Sequence, residues 1–242
     1  GAPGFSGAAR LAGKGALRAG AGLVSVATHP VHAAHLNMGR PELMVRGMVD
    51  ATDLTPLLER AKVVAIGPGL GQDPWGLGLI ERVLVEGKPL VVDADALNWL
   101  AKARIHRDDW VLTPHPGEAA RLLGCSTREV QEDRFTALRH MRDLYGGTIV
   151  LKGAGTLILG PSGSPPGVCS QGNPGLASGG TGDVLTGMVA ALLGRGLNPE
   201  EAAMAAVCLH AAAGDRAAAD GGEHGLLASD LIAAIRPTLN AL

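Results

Sequence analysis

The 242 residues suit one large α/β domain or two small ones, and no long polar or low-complexity stretch divides them. With three Trp, two Phe and one Tyr against 36 Gly, the core has to rest on Ala, Val and Leu at close backbone spacing. A net charge of −2 and the lack of a basic run interleaved with aromatics argue against a nucleic-acid partner. No apolar run approaches the roughly 20 residues of a membrane span, and no signal peptide is evident. The three cysteines, Cys125, Cys169 and Cys208, are too few and too widely spaced for a disulfide framework or a CxxC metal site. A reduced, soluble, cytoplasmic protein is expected.

The chain opens on Gly-Ala-Pro-Gly-Phe-Ser-Gly, a glycine loop of the kind that follows a strand, so a strand upstream of Gly1 is expected. Residues 7–20 read as an Ala-rich helix and residues 23–27 as a short apolar strand between Gly22 and Pro30. Apolar strands recur at 63–66, 90–92, 111–112 and 149–151, with helical patterns at 75–86, 117–123 and 130–144. Continuous apolar strands alternating with helices predict a mostly parallel central sheet covered on both faces. The rhythm then changes. Lys152-Gly153-Ala154-Gly155 joins two β segments as a hairpin, which places antiparallel strands at one edge. In the helical remainder, Val184, Leu185, Met188, Val189, Leu192 and Leu193 have the spacing of a buried helix face, ended by Gly194 and Gly196. Pro199 opens another helix reaching about residue 219, and residues 228–235 form a last one.

In open parallel sheets, ligands bind beyond the carboxyl ends of the strands. Four loops follow strands here and should converge on one rim: Gly67-Pro68-Gly69-Leu70-Gly71, Asp93-Ala94-Asp95-Ala96-Leu97-Asn98, Thr113-Pro114-His115-Pro116-Gly117-Glu118, and the hairpin at Lys152. The glycines of the first, with Asp93 about twenty residues on, invite a dinucleotide-binding reading, but Gln72 stands where its third glycine belongs. A tight turn is the simpler account. Asp93, Asp95 and Asn98 could form a metal cluster, but Asp95 and Asn98 equally suit the first turn of a helix and are expected to cap. His29, His32 and His35 form an HxxHxxH series whose ends diverge on a helix with no carboxylate nearby, which argues against zinc.

His115 and Glu118 stand three apart where the chain leaves a strand. They serve either as a cap or as ligand contacts, with the histidine bonding an amide or phosphate and the glutamate holding a water of a hydrated Mg²⁺. Lys152 precedes backbone able to lie against a ring or a phosphate, or it is an exposed hairpin lysine. No P-loop occurs.

The most informative segment is Ser178-Gly179-Gly180-Thr181-Gly182-Asp183, at the expected start of an apolar helix. Glycines without Cβ let backbone N–H groups converge on an oxyanion, and the helix dipole favours negative charge there by roughly 0.3 to 1 kcal/mol. Asp183 is then either the helix cap or a base that takes a hydroxyl proton as a phosphoryl group arrives.

Taken together, these segments resemble one family, the ADP- or ATP-dependent NAD(P)H-hydrate dehydratases of the ribokinase-like superfamily. The resemblance rests on Gly4-Phe5-Ser6-Gly7-Ala8-Ala9, the run from Leu17 to Val24, Pro41-Glu42-Leu43-Met44, the three rim loops from Ile66 to Glu118, and Asn173 through Leu185, in the family's order over nearly the whole chain. His115-Pro116-Gly117-Glu118 with Asn173-Pro174-Gly175 is the most specific part, and a histidine rather than an asparagine at 115 favours the dehydratase over a vitamin kinase. The resemblance implies a single ribokinase-like domain over residues 1–242, with nucleotide-dependent repair of NADH and NADPH hydrates, ADP being the expected donor and Mg²⁺ the cofactor. It implies that Ala8, Gly69, Gly71, His115 and Asp183 face the hydrated dinucleotide. Lys152, Gly153, Ala154, Gly155 and Thr156, with Gly179, Gly180, Thr181 and Gly182, would face the adenosine nucleotide; Asp183 would be the base, and Glu118 would meet Mg²⁺ through water. A homo-oligomer of four or more copies and an upstream epimerase domain are further implications. A ribokinase-like kinase of a small vitamin-precursor alcohol and a catalytically silent nucleotide-binding module are the alternatives.

Overall fold

The computed structural model describes residues 1–241. In chain order it contains α1 (Ser6–Arg18), β1 (Val24–Thr28), α2 (Pro30–Ala33), β2 (Leu43–Gly47), a 3₁₀ turn (Ala51–Leu54), α3 (Thr55–Arg60), β3 (Val64–Ile66), α4 (Pro74–Leu84), β4 (Leu90–Val92), α5 (Ala94–Ala103) and β5 (Trp110–Leu112). There follow α6 (Pro116–Leu123), α7 (Thr127–Glu132), α8 (Arg134–Tyr145), β6 (Thr148–Leu151), β7 (Thr156–Leu159), β8 (Gly167–Cys169), a second 3₁₀ turn (Pro174–Ala177), α9 (Thr181–Gly194), α10 (Pro199–Gly221) and α11 (Ala228–Leu239).

The central sheet has six strands in sequential order, β3-β4-β5-β6-β7-β8. β3 to β6 are parallel, while β7 and β8 join antiparallel at one edge, as the hairpin at Lys152 predicts. Side chains alternate across it with the period of two that a pleated strand imposes. Leu90 and Val92 of β4 enter the core shared with α4 to α8, and Val91 between them enters the core shared with α1, α9, α10 and α11. The sheet is therefore sandwiched between two helical layers, which is why its strands read as continuously apolar.

Three expectations need correction. The strand predicted at 23–27 forms, but β1 pairs in parallel with β2 alone, in a two-stranded sheet apart from the central one. Residues 1 and 2 link the two sheets at their carboxyl ends, because the His29 amide donates to the Gly1 carbonyl and the Ala2 amide to the Gly69 carbonyl. The helix predicted at 130–144 is two helices broken at Asp133, whose carboxylate caps α8 by accepting from the Thr136 amide. Asp95 and Asn98 do not cap α5: Asp95 accepts the Gly71 amide at 2.9 Å and Asn98 accepts from Arg121.

α1 and α9 meet backbone to backbone. A Cβ on Gly187 would lie 1.9 Å from the carbonyl oxygen of Ala12, and one on Gly15 would lie 2.5 Å from that of Val184. Only glycine permits such an approach, and it fixes the loop ahead of each helix relative to the other.

Candidate active site

The rim loops converge as their positions after strands require. Gly67 has φ +122° and would place a Cβ 1.7 Å from the Asp93 carbonyl, so the β3 and β4 loops touch. Gly69, at φ +59°, lies under α1, where a Cβ would stand 3.0 Å from that of Ala8. With Gly71 held by Asp95, these residues make one wall of the crevice.

The start of α9 adjoins these loops, with the Thr186 hydroxyl donating to Asp93. Gly180, at φ +92°, is its N-cap residue and brings no capping side chain. The amides of Thr181, Gly182 and Asp183 find no acceptor among the described residues, and nothing lies within 4 Å of where a Cβ of Gly179 would be. These are the orphan donors of a first helical turn, open to an anion. Asp183 sits in that turn, and its carboxylate caps nothing. Burial above all, with Asp93 adding repulsion, pushes its pKa up to about 6. A half-buried carboxylate poised near neutrality suits a general base better than a cap.

Thr181 reaches the site only through its backbone, because its hydroxyl donates to the carbonyls of Leu176 and Ser178 and is buried. The loop before it is braced from α10. Asp215 accepts from the Gly172 amide and the Asn173 side chain, while His210 Nε2 donates to the Thr181 carbonyl.

His115 and Glu118 do form a capping box on α6. The His115 Nδ1 accepts from the Gly117 amide at 3.0 Å and Glu118 accepts from the His115 amide at 2.8 Å. That bond places the imidazole proton on Nε2, which stands 3.5 Å from Glu118 Oε1 on a ring that is half-exposed. Burial, followed by the nearby Lys152 charge, lowers the His115 pKa and keeps the ring neutral. Burial raises that of Glu118.

Lys152 is not an exposed hairpin residue. Its ammonium turns into the crevice, 2.8 Å from Asp93 Oδ1 and 3.8 Å from Glu118 Oε2, and 3.3 Å from where a Gly182 Cβ would be. Burial disfavours its charge, but Asp93 and Glu118 outweigh that and hold its pKa above the ordinary lysine value. Beyond it, Gly153 and Ala154 are exposed, and the Thr156 hydroxyl closes the turn onto the Gly153 carbonyl. Arg134 of α8 donates to the carbonyls of Leu151 and Ala154 and so clamps the hairpin from outside.

Asp93 was legible only as a metal ligand or as the acidic residue of a dinucleotide fingerprint, whereas it is the buried partner of Lys152. Arg134, His210 and Asp215 carried no signal at all, since lone polar residues inside helices read as solvated faces. Among the described residues no cluster of three or more His, Cys, Asp or Glu has the geometry of a metal cage. A hydrated Mg²⁺ that arrives on nucleotide phosphates needs only one or two carboxylates and no such cage.

The mostly parallel sheet with an antiparallel edge places the chain in the ribokinase-like class. A ribokinase-like superfamily protein from Enterococcus faecalis superposes with a TM-score of 0.88 at 30% identity, over 98% of this chain and 83% of its own. The family model for NAD(P)H-hydrate dehydratase matches residues 1–237, and the chain belongs to that family. The bifunctional NAD(P)H-hydrate repair enzyme Nnr of Coxiella burnetii is 51% identical over 237 residues, 98% of this chain and 48% of that protein. The chain thus spans about half the length of the curated relatives it matches. An ADP/ATP-dependent NAD(P)H-hydrate dehydratase from Bacillus subtilis, co-crystallised with ATP/Mg²⁺ and soaked with CoA, has a TM-score of 0.84 at 31% identity, over 100% of this chain and 89% of its own.

Proposed function

We propose that this chain is an ADP-dependent NAD(P)H-hydrate dehydratase, a carbon–oxygen lyase that returns hydrated NADH and NADPH to their reduced forms with release of AMP and phosphate. The observation that carries the reading is the start of α9, where three amides with no acceptor among the described residues stand beside a carboxylate that makes no cap.

In this reading the hydrate lies along Ala8, Gly69, Gly71 and His115, with its hydroxyl at Asp183. The nucleotide lies over the hairpin from Lys152 to Thr156, with its terminal phosphate at Gly179 to Gly182. Asp183 takes the hydroxyl proton as that oxygen attacks the terminal phosphorus, and the P–O bond to the nucleotide breaks with its electron pair leaving on AMP. The amides hold the equatorial oxygens, where fixed dipoles matter most. The ring nitrogen lone pair then expels phosphate by breaking the C–O bond, and loss of a proton from the adjacent ring carbon to solvent restores the double bond. Mg²⁺, met by Glu118 through water, would offset charge between the phosphates.

A cytoplasmic location and a homo-oligomeric state belong to the same proposal. Among the described residues no helix is long and apolar enough to cross a membrane. The relatives' greater length and the word bifunctional in their name support an epimerase domain joined to this one in the full protein.

Incubation with NADH hydrate, ADP and Mg²⁺ is expected to restore absorbance in the reduced-nicotinamide band. Absence of recovery with both ADP and ATP overturns the reading. Accumulation of a stable phosphorylated alcohol instead reassigns the site to a kinase.

A further inference from the structure

Asp93 is a buried charge that the reaction above does not use. Its side chain is 2% exposed, and its two oxygens are divided between two elements: Oδ1 stands 2.8 Å from Lys152 Nζ, and Oδ2 accepts from the Thr186 hydroxyl at 2.6 Å. Thr186 lies one turn along α9 from Gly182, whose carbonyl is 3.2 Å from the same hydroxyl. Ends of β4 and β6 are thereby tied to the helix that carries the anion site.

Two features separate this arrangement from an ordinary buried ion pair. Asp93 occupies the N-cap position of α5 yet makes no cap, and the next residue, Ala94, is held at φ +48°. An alanine is sterically disfavoured in the left-handed region and persists there only where the surroundings impose it. The second feature is the ammonium itself. Of its three N–H donors one is engaged by Asp93, and Glu118 at 3.8 Å is beyond hydrogen-bond reach. The remaining donors stand beside Gly182, next to amides that also lack acceptors.

We propose that Asp93 and Thr186 are positioning residues that fix the Lys152 ammonium against the oxygens of the phosphoryl group as it crosses from nucleotide to hydroxyl. The inference rests on the phosphoryl-transfer reading of the site. Lys152 then contributes where charge is being redistributed rather than at the adenosine end, and Asp93 acts through it without touching either substrate. A charge aimed at the moving group changes the rate of the chemical step more than the affinity for either ligand.

The test compares the parent with Asp93→Asn, Thr186→Val, Lys152→Gln and the double variant Asp93→Asn/Lys152→Gln, each confirmed as folded by its thermal transition. With NADH hydrate, ADP and Mg²⁺, Asp93→Asn is expected to lower kcat about 10- to 100-fold while both KM values stay within about 3-fold. Thr186→Val should give a smaller loss of the same kind. The double variant should be no slower than Lys152→Gln by more than about 3-fold, because the two residues act as one unit. Independent, multiplying losses, or a raised KM at unchanged kcat, overturn the proposal. Calorimetry with inorganic phosphate on the AMP-saturated protein gives a readout separate from turnover. Weaker phosphate binding in Asp93→Asn with AMP affinity unchanged supports the positioning role even if no hydrate is turned over, an outcome that would sink only the dehydratase reading. Equal phosphate affinity in parent and variants sinks the positioning role.

Discussion

The Nε2–H of His210 donates to the Thr181 carbonyl at 2.9 Å, tying the middle of α10 to the first residue of α9. Burial, opposed by this bond, pushes the His210 pKa from 6.5 down to about 4. The unfolded chain therefore takes up this proton first as pH falls, so the contribution to stability is complete above pH 6.5 and declines as the pH falls towards about 4. Urea midpoints measured at pH 8 and pH 5 should fall more for the parent than for His210→Gln, which keeps a donor but cannot titrate. An equal fall in both would show that this ring has no part in acid sensitivity.

Asp183 has the opposite linkage. Its carboxyl is raised from 3.8 to about 6, so the fold loses stability as pH rises through that interval and carries the full cost at neutral pH. Asp183→Asn should therefore melt at a higher temperature at pH 8, by on the order of 1 kcal/mol once solvent screening is allowed for. The same change should slow turnover by roughly 10² to 10⁴ with nucleotide binding retained. In the parent, kcat/KM should fall as pH drops below about 6, the value to which this carboxyl is raised. A variant as fast as the parent would remove Asp183 from the chemistry.

The contact of α1 with α9 predicts a severe effect from one methyl group. Gly187→Ala would set a Cβ 1.9 Å from the Ala12 carbonyl, where backbone rather than a flexible side chain must move. A loss of roughly 3 kcal/mol or more in chemical denaturation is expected. Gly194→Ala on the same helix meets nothing within 4 Å and should be neutral or stabilising by up to about 1 kcal/mol.

Ala94 offers a test of strain. Ala94→Gly should relieve the left-handed backbone at φ +48° and raise stability by up to about 1 kcal/mol, net of the entropy glycine adds to the unfolded chain. A lower melting temperature would mean that the Cβ at this position contributes packing that outweighs its backbone cost.

The central strands were legible because burial on both faces makes them continuously apolar, and the start of α9 was legible because an anion site needs glycines in a row. The partner of β1 was not, since an apolar run declares a strand without declaring its neighbour. The early start of α7 had a readable sign in the capping pair Ser126 and Glu129, and the break at Asp133 had one in an aspartate able to cap the helix that follows it. Nothing local marks Lys152 as turning inward or Asp95 as reaching for Gly71. Both depend on loops more than twenty residues away in sequence being brought to the same rim.

The interlocked glycines of α1 and α9 also set how the crevice works. Ala8 and Phe5 stand at the head of one helix and the anion loop at the head of the other, so the gap between them has a width fixed by bare backbone on both sides. On the proposed reading the two reactants would meet between two helix heads that backbone contact locks together. Turnover here should consequently be insensitive to solvent viscosity beyond the diffusion of the ligands themselves.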